Sequence, residues 1–202
     1  MDSSQTNEAP ILGLRERKKA KTRAAIQRHA LRLFREQGYA ATRVEQIADA
    51  AEVSPSTFFR YFPTKEDVVL YDPTDLPMFA AFEAQPPEVP PIRAIRNAMR
   101  EVFGGLSAED LAGQLDRDEL VRAVPELRSR MIDSFVDGID VFSELLARRV
   151  GRSPDDIAVR AWVGAFIGAM IAVYLGANDL KPEDYFRLFD TALQQLEAGL
   201  PL

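Results

Sequence analysis

Residues 42–65 read TRVEQIADAAEVSPSTFFRYFPTK, and this stretch contains three helix-start patterns at short intervals. Thr42 and Glu45 form a Thr-x-x-Glu capping box. Ser54 is followed by Pro55, a pair typical of the residue before a helix and of its first turn. Thr64 and Asp67 form a Thr-x-x-Asp pattern at the end of the stretch, which predicts a third helix start. Helix starts this close together predict a compact unit of short helices joined by tight turns.

A longer basic helix is predicted in front of this unit, over residues 15–37. Ile26 and Ala30 recur at helical spacing, and Gly38 is placed to end the helix in a left-handed cap. The whole chain has a net charge of −6, yet residues 11–65 hold 12 Lys and Arg against 5 Asp and Glu. A basic end on an acidic chain indicates the part that would meet phosphate, although a solvated helix face explains the same charges.

The helix that begins at Ser54 is predicted to have one inward and one outward face. Ala48, Val53 and Phe58 are spaced to pack the two short helices together. The outward side chains are small, polar, aromatic or basic, which suits a DNA major groove; an ordinary helical hairpin with exposed polar residues is the alternative. The candidate DNA contacts are Thr42, Arg43, Ser54, Ser56, Thr57, Phe59, Arg60, Tyr61 and Lys65.

Residues 41–67, together with the preceding Gly-Tyr-Ala-Ala-Thr, resemble the TetR/AcrR family of one-component transcriptional regulators. The resemblance implies an all-helical homodimer with an N-terminal three-helix helix-turn-helix DNA-binding domain and a C-terminal helical domain for effector binding and dimerisation. It also implies a palindromic operator and repression that ends when a small molecule binds. It adds Pro55 to the expected DNA contacts, which then run from Ser54 through Thr57.

Two positions depart from the family's common pattern. Glu52 stands where the turn often has Gly, so it must adopt the turn conformation without the freedom of Gly. Phe59 stands where Tyr is frequent, and it has no hydroxyl to offer to phosphate, although it could contact a thymine methyl group. The operator sequence therefore cannot be taken from a relative.

The rest of the chain is predicted to be helical, because no sustained apolar and polar alternation appears. The Ser153-Pro154 pair is expected to start one helix, and the other predicted helices cover residues 92–103, 108–123, 126–150 and 182–196. We predict an all-α fold with a disordered tail at 1–12, a DNA-binding domain at 13–68 and an effector-binding and dimerisation domain at 69–202.

Residues 161–177, AWVGAFIGAMIAVYLGA, are uncharged and apolar. A membrane span usually needs about 20 such residues, and a helix that is apolar all round also occurs in a core and a dimer interface. We favour dimerisation, in which this helix and the last one pair with their copies. The predicted interface consists of Gly164, Ala165, Gly168, Ala172, Leu188, Phe189, Ala192 and Leu196.

The C-terminal part is rich in aromatic residues and Met, which favours an apolar or aromatic effector. Each of these residues taken singly is as well explained by an ordinary core. The candidate effector-binding residues are Phe82, Met99, Phe103, Met131, Phe135, Trp162, Phe166 and Met170.

The sequence predicts no catalytic residue, metal site or cofactor. It has no Cys, and its single His29 has no partner for a dyad or a metal site. The Asp116–Glu119 cluster is interpreted as an acid-rich helix start, and the lack of Cys favours the cytoplasm. Two hypotheses remain: a ligand-gated DNA-binding repressor, and a helical interaction protein that associates with anionic membrane through its basic arm and residues 161–177.

Overall fold

The computed structural model describes residues 13–176 and 182–201. The predicted disordered tail at 1–12 lies outside the described residues. Within the described ranges there are ten α-helices and no strand, which confirms the all-α prediction. The chain divides into two compact units, Met1–Val68 and Val69–Leu202.

The first unit is built from one long helix and three short ones. Its core joins Ile26 and Phe34 of the long helix to Ile47, Phe58 and Phe62, each at most 2% exposed. The four helices are α1 (Leu14–Gln37), α2 (Val44–Ala50), α3 (Pro55–Tyr61) and α4 (Lys65–Leu70), and the boundary between the units falls within α4.

The helix starts of this unit follow the predictions in two of three cases. The Ser54 Oγ accepts a hydrogen bond from the Thr57 N–H at 3.1 Å and caps α3. Thr64 caps α4, since its Oγ1 accepts from the Asp67 N–H at 3.2 Å and its own N–H donates to Asp67 Oδ2 at 2.8 Å. The capping box predicted from Thr42 and Glu45 is wrong: the N-cap of α2 is the next residue, Arg43, whose N–H donates to the Gln46 side chain at 2.8 Å.

The second unit contains six helices. They are α5 (Asp75–Glu83), α6 (Pro91–Gly104), α7 (Ala108–Ala123), α8 (Pro125–Val150), α9 (Ile157–Gly176) and α10 (Pro182–Glu197). Gly151 ends α8 at φ 67° and ψ 36°, a left-handed conformation that favours glycine.

Two helices of this unit begin differently from the sequence prediction. Helix α5 is not among the predicted ranges, and Pro77 lies in its first turn, where the missing N–H has no intrahelical partner to lose. The helix expected to start at Ser153-Pro154 begins at Ile157, because Asp156 Oδ1 accepts from the Ala158 N–H at 2.8 Å and caps the chain there.

Helix α9 crosses the middle of the second unit. Val163, Phe166 and Ile167 are at most 7% exposed and pack into a core shared with α6, α8 and α10. Among the described residues α9 is the one helix long and apolar enough to cross a membrane, by length and composition alone. The core helix of a soluble protein meets the same criterion, so this length and composition are weak support for a span.

Candidate nucleic-acid interface and effector cavity

Helix α3 presents a short polar edge at its N-terminus. Besides capping the helix, the Ser54 hydroxyl lies 2.9 Å from the Ser56 hydroxyl and donates to Thr57 Oγ1 at 3.0 Å. Ser54, Pro55 and Ser56 are exposed and Thr57 is half-buried. The structure therefore brings these four predicted contacts together on one edge, held by their own hydrogen bonds.

The second turn of α3 separates its two faces cleanly. Phe58 is fully buried, whereas the adjacent Phe59 is 50% exposed and meets it edge-on at 5.4 Å between ring centroids. Arg60 is exposed and its guanidinium lies 5.6 Å from the ring centre of Tyr61. An exposed aromatic ring beside an exposed Arg suits contact with a base edge and its phosphate.

The turn between α2 and α3 depends on one strained residue. Glu52 has φ 54°, as expected for a turn position that often holds Gly. The conformation lets the Val53 N–H donate to the Ala48 carbonyl at 2.9 Å, which fixes the angle at which α3 leaves α2. A non-glycine residue adopts this conformation at a cost of about 1–2 kcal/mol.

Two predicted DNA contacts have other partners in the structure. Thr42 is 2% exposed, and its hydroxyl donates to the Gly38 carbonyl at 2.8 Å. The Lys65 ammonium donates to the carbonyls of Tyr39 and Thr42 at 2.9 and 3.2 Å, and it lies 4.1 Å from the centre of the Tyr39 ring. Both side chains hold the loop between α1 and α2. Arg43, by contrast, is exposed.

A cavity of about 400 Å³ lies inside the second unit. Its wall is mostly apolar and comes from α5 to α10, and Trp162 and Phe166 stack in it with ring centroids 6.0 Å apart. The volume falls within the usual range for small-molecule sites, about 300–1,000 Å³. All eight candidate effector-binding residues line this cavity: Phe82, Met99, Phe103, Met131, Phe135, Trp162, Phe166 and Met170.

One part of the cavity wall is polar and centres on Arg117, which is 4% exposed. The Arg117 guanidinium donates to the Tyr71 carbonyl at 3.1 Å, to Asp72 Oδ2 at 2.6 Å and to Asp118 Oδ1 at 3.2 Å. The Tyr185 hydroxyl donates to the other Asp118 oxygen at 2.7 Å. We call Asp72, Asp75, Arg117 and Asp118 the polar end of the cavity.

The carboxyl groups of the polar end differ in their affinity for protons. Burial by itself would raise the pKa of Asp72, but the Arg117 charge and hydrogen bonds from Thr74 and Gln114 lower it. Burial, followed by repulsion from Asp72, raises the pKa of Asp75 from its ordinary 3.8 to about 6. Burial also raises the pKa of Asp118, although Arg117 and Tyr185 both donate to it. Among the described residues, Asp72 and Asp118 thus share a single guanidinium, while Asp75 makes no ion pair with it.

The sequence patterns did not predict this polar end. The Asp116–Glu119 cluster is not a helix start, since it lies in the second half of α7. One pattern could have indicated it: Gln114, Arg117 and Val121 recur at helical spacing and form a buried stripe on α7. Most of the neighbouring residues are charged, which hides this stripe. Arg117 and Asp118 face the interior because each has a partner far away in the chain.

The predicted dimer residues fall into two groups. Gly164, Ala165, Gly168 and Ala172 are exposed along one face of α9, and apart from its own helix nothing described lies within 4 Å of a Cβ built at either glycine. On α10, Ala192 and Leu196 pack against the core of their own unit and Phe189 also lines the cavity, while Leu188 is half-buried. The structure brings the α9 residues together on an exposed surface, whereas Phe189, Ala192 and Leu196 are half-buried against their own unit.

His29 and the acidic residues form no metal site: in the described ranges there is no group of three or more His, Asp or Glu side chains able to hold a metal ion.

Two family descriptions match the chain in succession. Residues 26–71 match the bacterial regulatory proteins of the tetR family, and residues 89–201 match the MftR C-terminal domain. The transcriptional regulator TcmR of Streptomyces glaucescens is 32% identical over 212 aligned residues, which cover 98% of this chain and 91% of that protein.

Solved structures agree on the fold. SmeT of Stenotrophomonas maltophilia in complex with triclosan has a TM-score of 0.57 and 22% identity, covering 89% of this chain and 91% of that one. GusR of Salmonella enterica has a TM-score of 0.54 and 19% identity, covering 89% and 95%. Identities this low support the shared fold only. The match to both family domains and to TcmR over nearly its whole length decides the classification: this chain belongs to the TetR family of DNA-binding transcription regulators.

Proposed function

We propose that this regulator is a ligand-responsive repressor that binds a palindromic operator as a homodimer in the cytoplasm and leaves it when a small apolar or aromatic effector binds. The observation that carries the proposal is the presence, in one chain, of an exposed recognition edge on α3 and an apolar cavity of about 400 Å³ in the other unit.

In this proposal α3 enters the major groove and reads bases through its exposed edge. Ser56, Thr57 and Phe59 contact base edges, while Arg43 and Arg60 contact phosphates. The remaining proposed contacts are Ser54, Pro55 and Tyr61. Thr42 and Lys65 contribute to DNA binding indirectly, because their side chains hold the loop in front of α2.

Dimerisation is proposed to use the exposed small residues of α9, Gly164, Ala165, Gly168 and Ala172. Small side chains allow two helices to approach closely, and a two-fold dimer would present its recognition helices to half-sites about one DNA turn apart. The membrane-associated alternative is not favoured, because Val163, Phe166, Ile167 and Met170 of α9 are buried in their own unit.

The first experiment measures binding of the full-length protein to the duplex upstream of its own gene and to a random duplex. We expect sequence-selective binding that weakens with salt, since phosphate contacts release counterions. Arg60→Ala should weaken binding and lower the salt dependence, whereas Arg128→Ala, an exposed Arg of α8, serves as the matched control. Equal affinity for the random duplex would contradict the proposal.

The second experiment follows effector binding through the single tryptophan, Trp162, which lines the cavity. A compound that changes Trp162 fluorescence should also release the DNA. Compounds that change the fluorescence of Trp162 but leave the DNA complex intact would separate cavity binding from regulation and refute the effector part of the proposal.

A further inference from the structure

The beginning of α1 is exposed on every side. Residues 15–21 read RERKKAK, and each of them is exposed, whereas the first fully buried residue of α1 is Ile26. Seven consecutive residues make about two turns of helix, so the described residues bury no face of this part of α1. We call residues 15–21 the basic segment.

The charges of the basic segment repel one another. It holds five Lys and Arg against one Glu, and none of the five cations forms an ion pair within the part of the chain that the structure describes. Arg15 and Lys19, like Arg17 and Lys21, are four positions apart, a spacing at which like charges destabilise a helix. Packing therefore does not account for this concentration of charge, and a bound anion would remove the repulsion.

The spacing of the cations fits a polyanion. A helix rises about 1.5 Å per residue, so the five cations lie along about 9 Å of α1, or one in roughly 2 Å. Duplex DNA carries one phosphate charge for about every 1.7 Å of its axis. Because the two charge densities are similar, a DNA backbone can neutralise several of these cations at once.

An anionic membrane fits the basic segment less well. A helix that lies on a membrane surface needs an apolar face, and the only apolar side chain in residues 15–21 is that of Ala20. A surface that offers positive charge without an apolar face is typical of a contact with nucleic-acid phosphates.

Within the first unit the basic segment lies close to one end of α3. The guanidinium of Arg23, which follows the segment by two residues, lies 5.8 Å from the centre of the Phe62 ring. Phe62 is the C-cap of α3 and comes two residues after the exposed Arg60. From Arg23 the basic segment continues along α1 for about 3–12 Å. When α3 lies in the major groove, the phosphates next to its C-terminal end are therefore within reach of the segment.

We propose that the basic segment of α1 is a second DNA-contact region, which binds the phosphate backbone beside the groove that α3 occupies and adds affinity that does not depend on the DNA sequence. This inference rests on the proposed function, because it adds a contact to the same complex. In this arrangement α3 selects the site through base edges, and the basic segment holds the backbone.

The test removes three of the cations. Lys18, Lys19 and Lys21 are replaced together by Ala in the full-length protein. Fluorescence anisotropy then measures binding to the duplex upstream of its own gene and to a random duplex, at several salt concentrations. Ala is the best helix former and the change removes like-charge repulsion, so the thermal stability of the triple variant should be at least that of the wild type.

Both affinities of the triple variant should fall together. At about 0.1 M salt we expect a loss of at least about 50-fold for each duplex, and the ratio of the two affinities should stay within about twofold, since phosphate contacts carry no sequence information. The slope of log affinity against log salt concentration should decrease in magnitude by about 2–3 per protomer, because each lost contact contributes about 0.9.

The matched control makes the same change in net charge elsewhere. It replaces Arg128, Arg148 and Arg152, three exposed residues of the second unit, by Ala and should keep both the affinity and the salt slope. Amide hydrogen exchange locates the contact: exchange in residues 15–21 of the wild type should slow when either duplex is added, because bound phosphates stabilise this part of the helix.

Unchanged affinity and salt slope in the triple variant, a loss confined to the upstream duplex, or no slowing of exchange in residues 15–21 would overturn the inference. So would binding to phosphatidylglycerol vesicles that is tighter than binding to the random duplex and is lost in the triple variant. If the wild type did not distinguish the upstream duplex from the random one, the proposed function would fail. An equal loss of affinity for both in the triple variant would still support the basic segment, so the two failures are distinguishable.

Discussion

Replacing Asp75 with Asn should stabilise the folded protein at neutral pH. Burial and the neighbouring Asp72 raise the pKa of Asp75 to about 6, so the ionised form is disfavoured by the folded state. Asn has nearly the same shape and no charge. The substitution therefore removes a repulsion without opening a hole in the wall of the cavity.

The size of the gain follows from the pKa of Asp75. A rise from 3.8 to about 6 corresponds to about 3 kcal/mol of unfavourable free energy for the charged form. Asp75 as a residue is exposed, so solvent screening reduces this value to roughly 1.5 kcal/mol. Asp75 is also the first residue of α5, where a negative charge is favoured by about 0.5 kcal/mol. We expect a net gain of about 1 kcal/mol.

The gain should depend on pH with a definite sign. Because the folded pKa of Asp75 lies above the unfolded value, the stability that its proton provides is fully present below 3.8 and is lost as pH rises through about 6. Asn keeps that stability at all pH values. The advantage of Asp75→Asn in urea denaturation, followed by circular dichroism, should be largest near about pH 8 and small near about pH 4.5.

Asp72→Asn, three residues away, is the matched control. Its effect on the stability of the protein should have the opposite sign. The pKa of Asp72 is lowered in the folded state, so its ionised form stabilises the protein above its ordinary pKa and that contribution is lost as pH falls. Its removal leaves the buried Arg117 without its shortest ion pair and should cost about 3 kcal/mol near neutral pH. If Asp75→Asn destabilised the protein near pH 8, or gained equally at both pH values, the reasoning would be refuted.

Three further predictions concern the first unit. Glu52→Gly should stabilise it by about 0.5–1 kcal/mol by thermal unfolding, because Gly adopts φ 54° without strain, and Glu52→Ala should give no such gain. Lys65→Ala should cost about 2 kcal/mol, since it removes two charge-assisted hydrogen bonds; a stable variant that only lost DNA affinity would show a direct phosphate contact instead. Phe58→Ala should cost about 3–5 kcal/mol, whereas Phe59→Ala should leave stability within about 0.5 kcal/mol and weaken DNA binding about tenfold. Equal loss of stability in both Phe variants would contradict the two-faced arrangement of α3.

Local patterns predicted the helices of the first unit well, because capping and turns depend on residues a few positions apart. Ser54 caps α3 and Glu52 has a positive φ, as expected. The pattern at Thr42 misled for a tertiary reason: its hydroxyl bonds to the Gly38 carbonyl, and Gln46 caps the α2 backbone instead. A capping box read from spacing alone assumes that the side chain has no competing partner.

The apolar wall and the polar end of the cavity differ in the same way in how well the sequence predicted them. Its apolar wall could be predicted because Phe and Met residues in an amphipathic helical body are buried by default, and all eight predicted residues line it. The polar end could not be predicted, because charged residues are expected to face solvent. Arg117 and Asp118 are buried instead, since they bond to partners 45 and 67 residues away in the chain. The charged residues inside the second unit are therefore those whose burial depends on long-range partners.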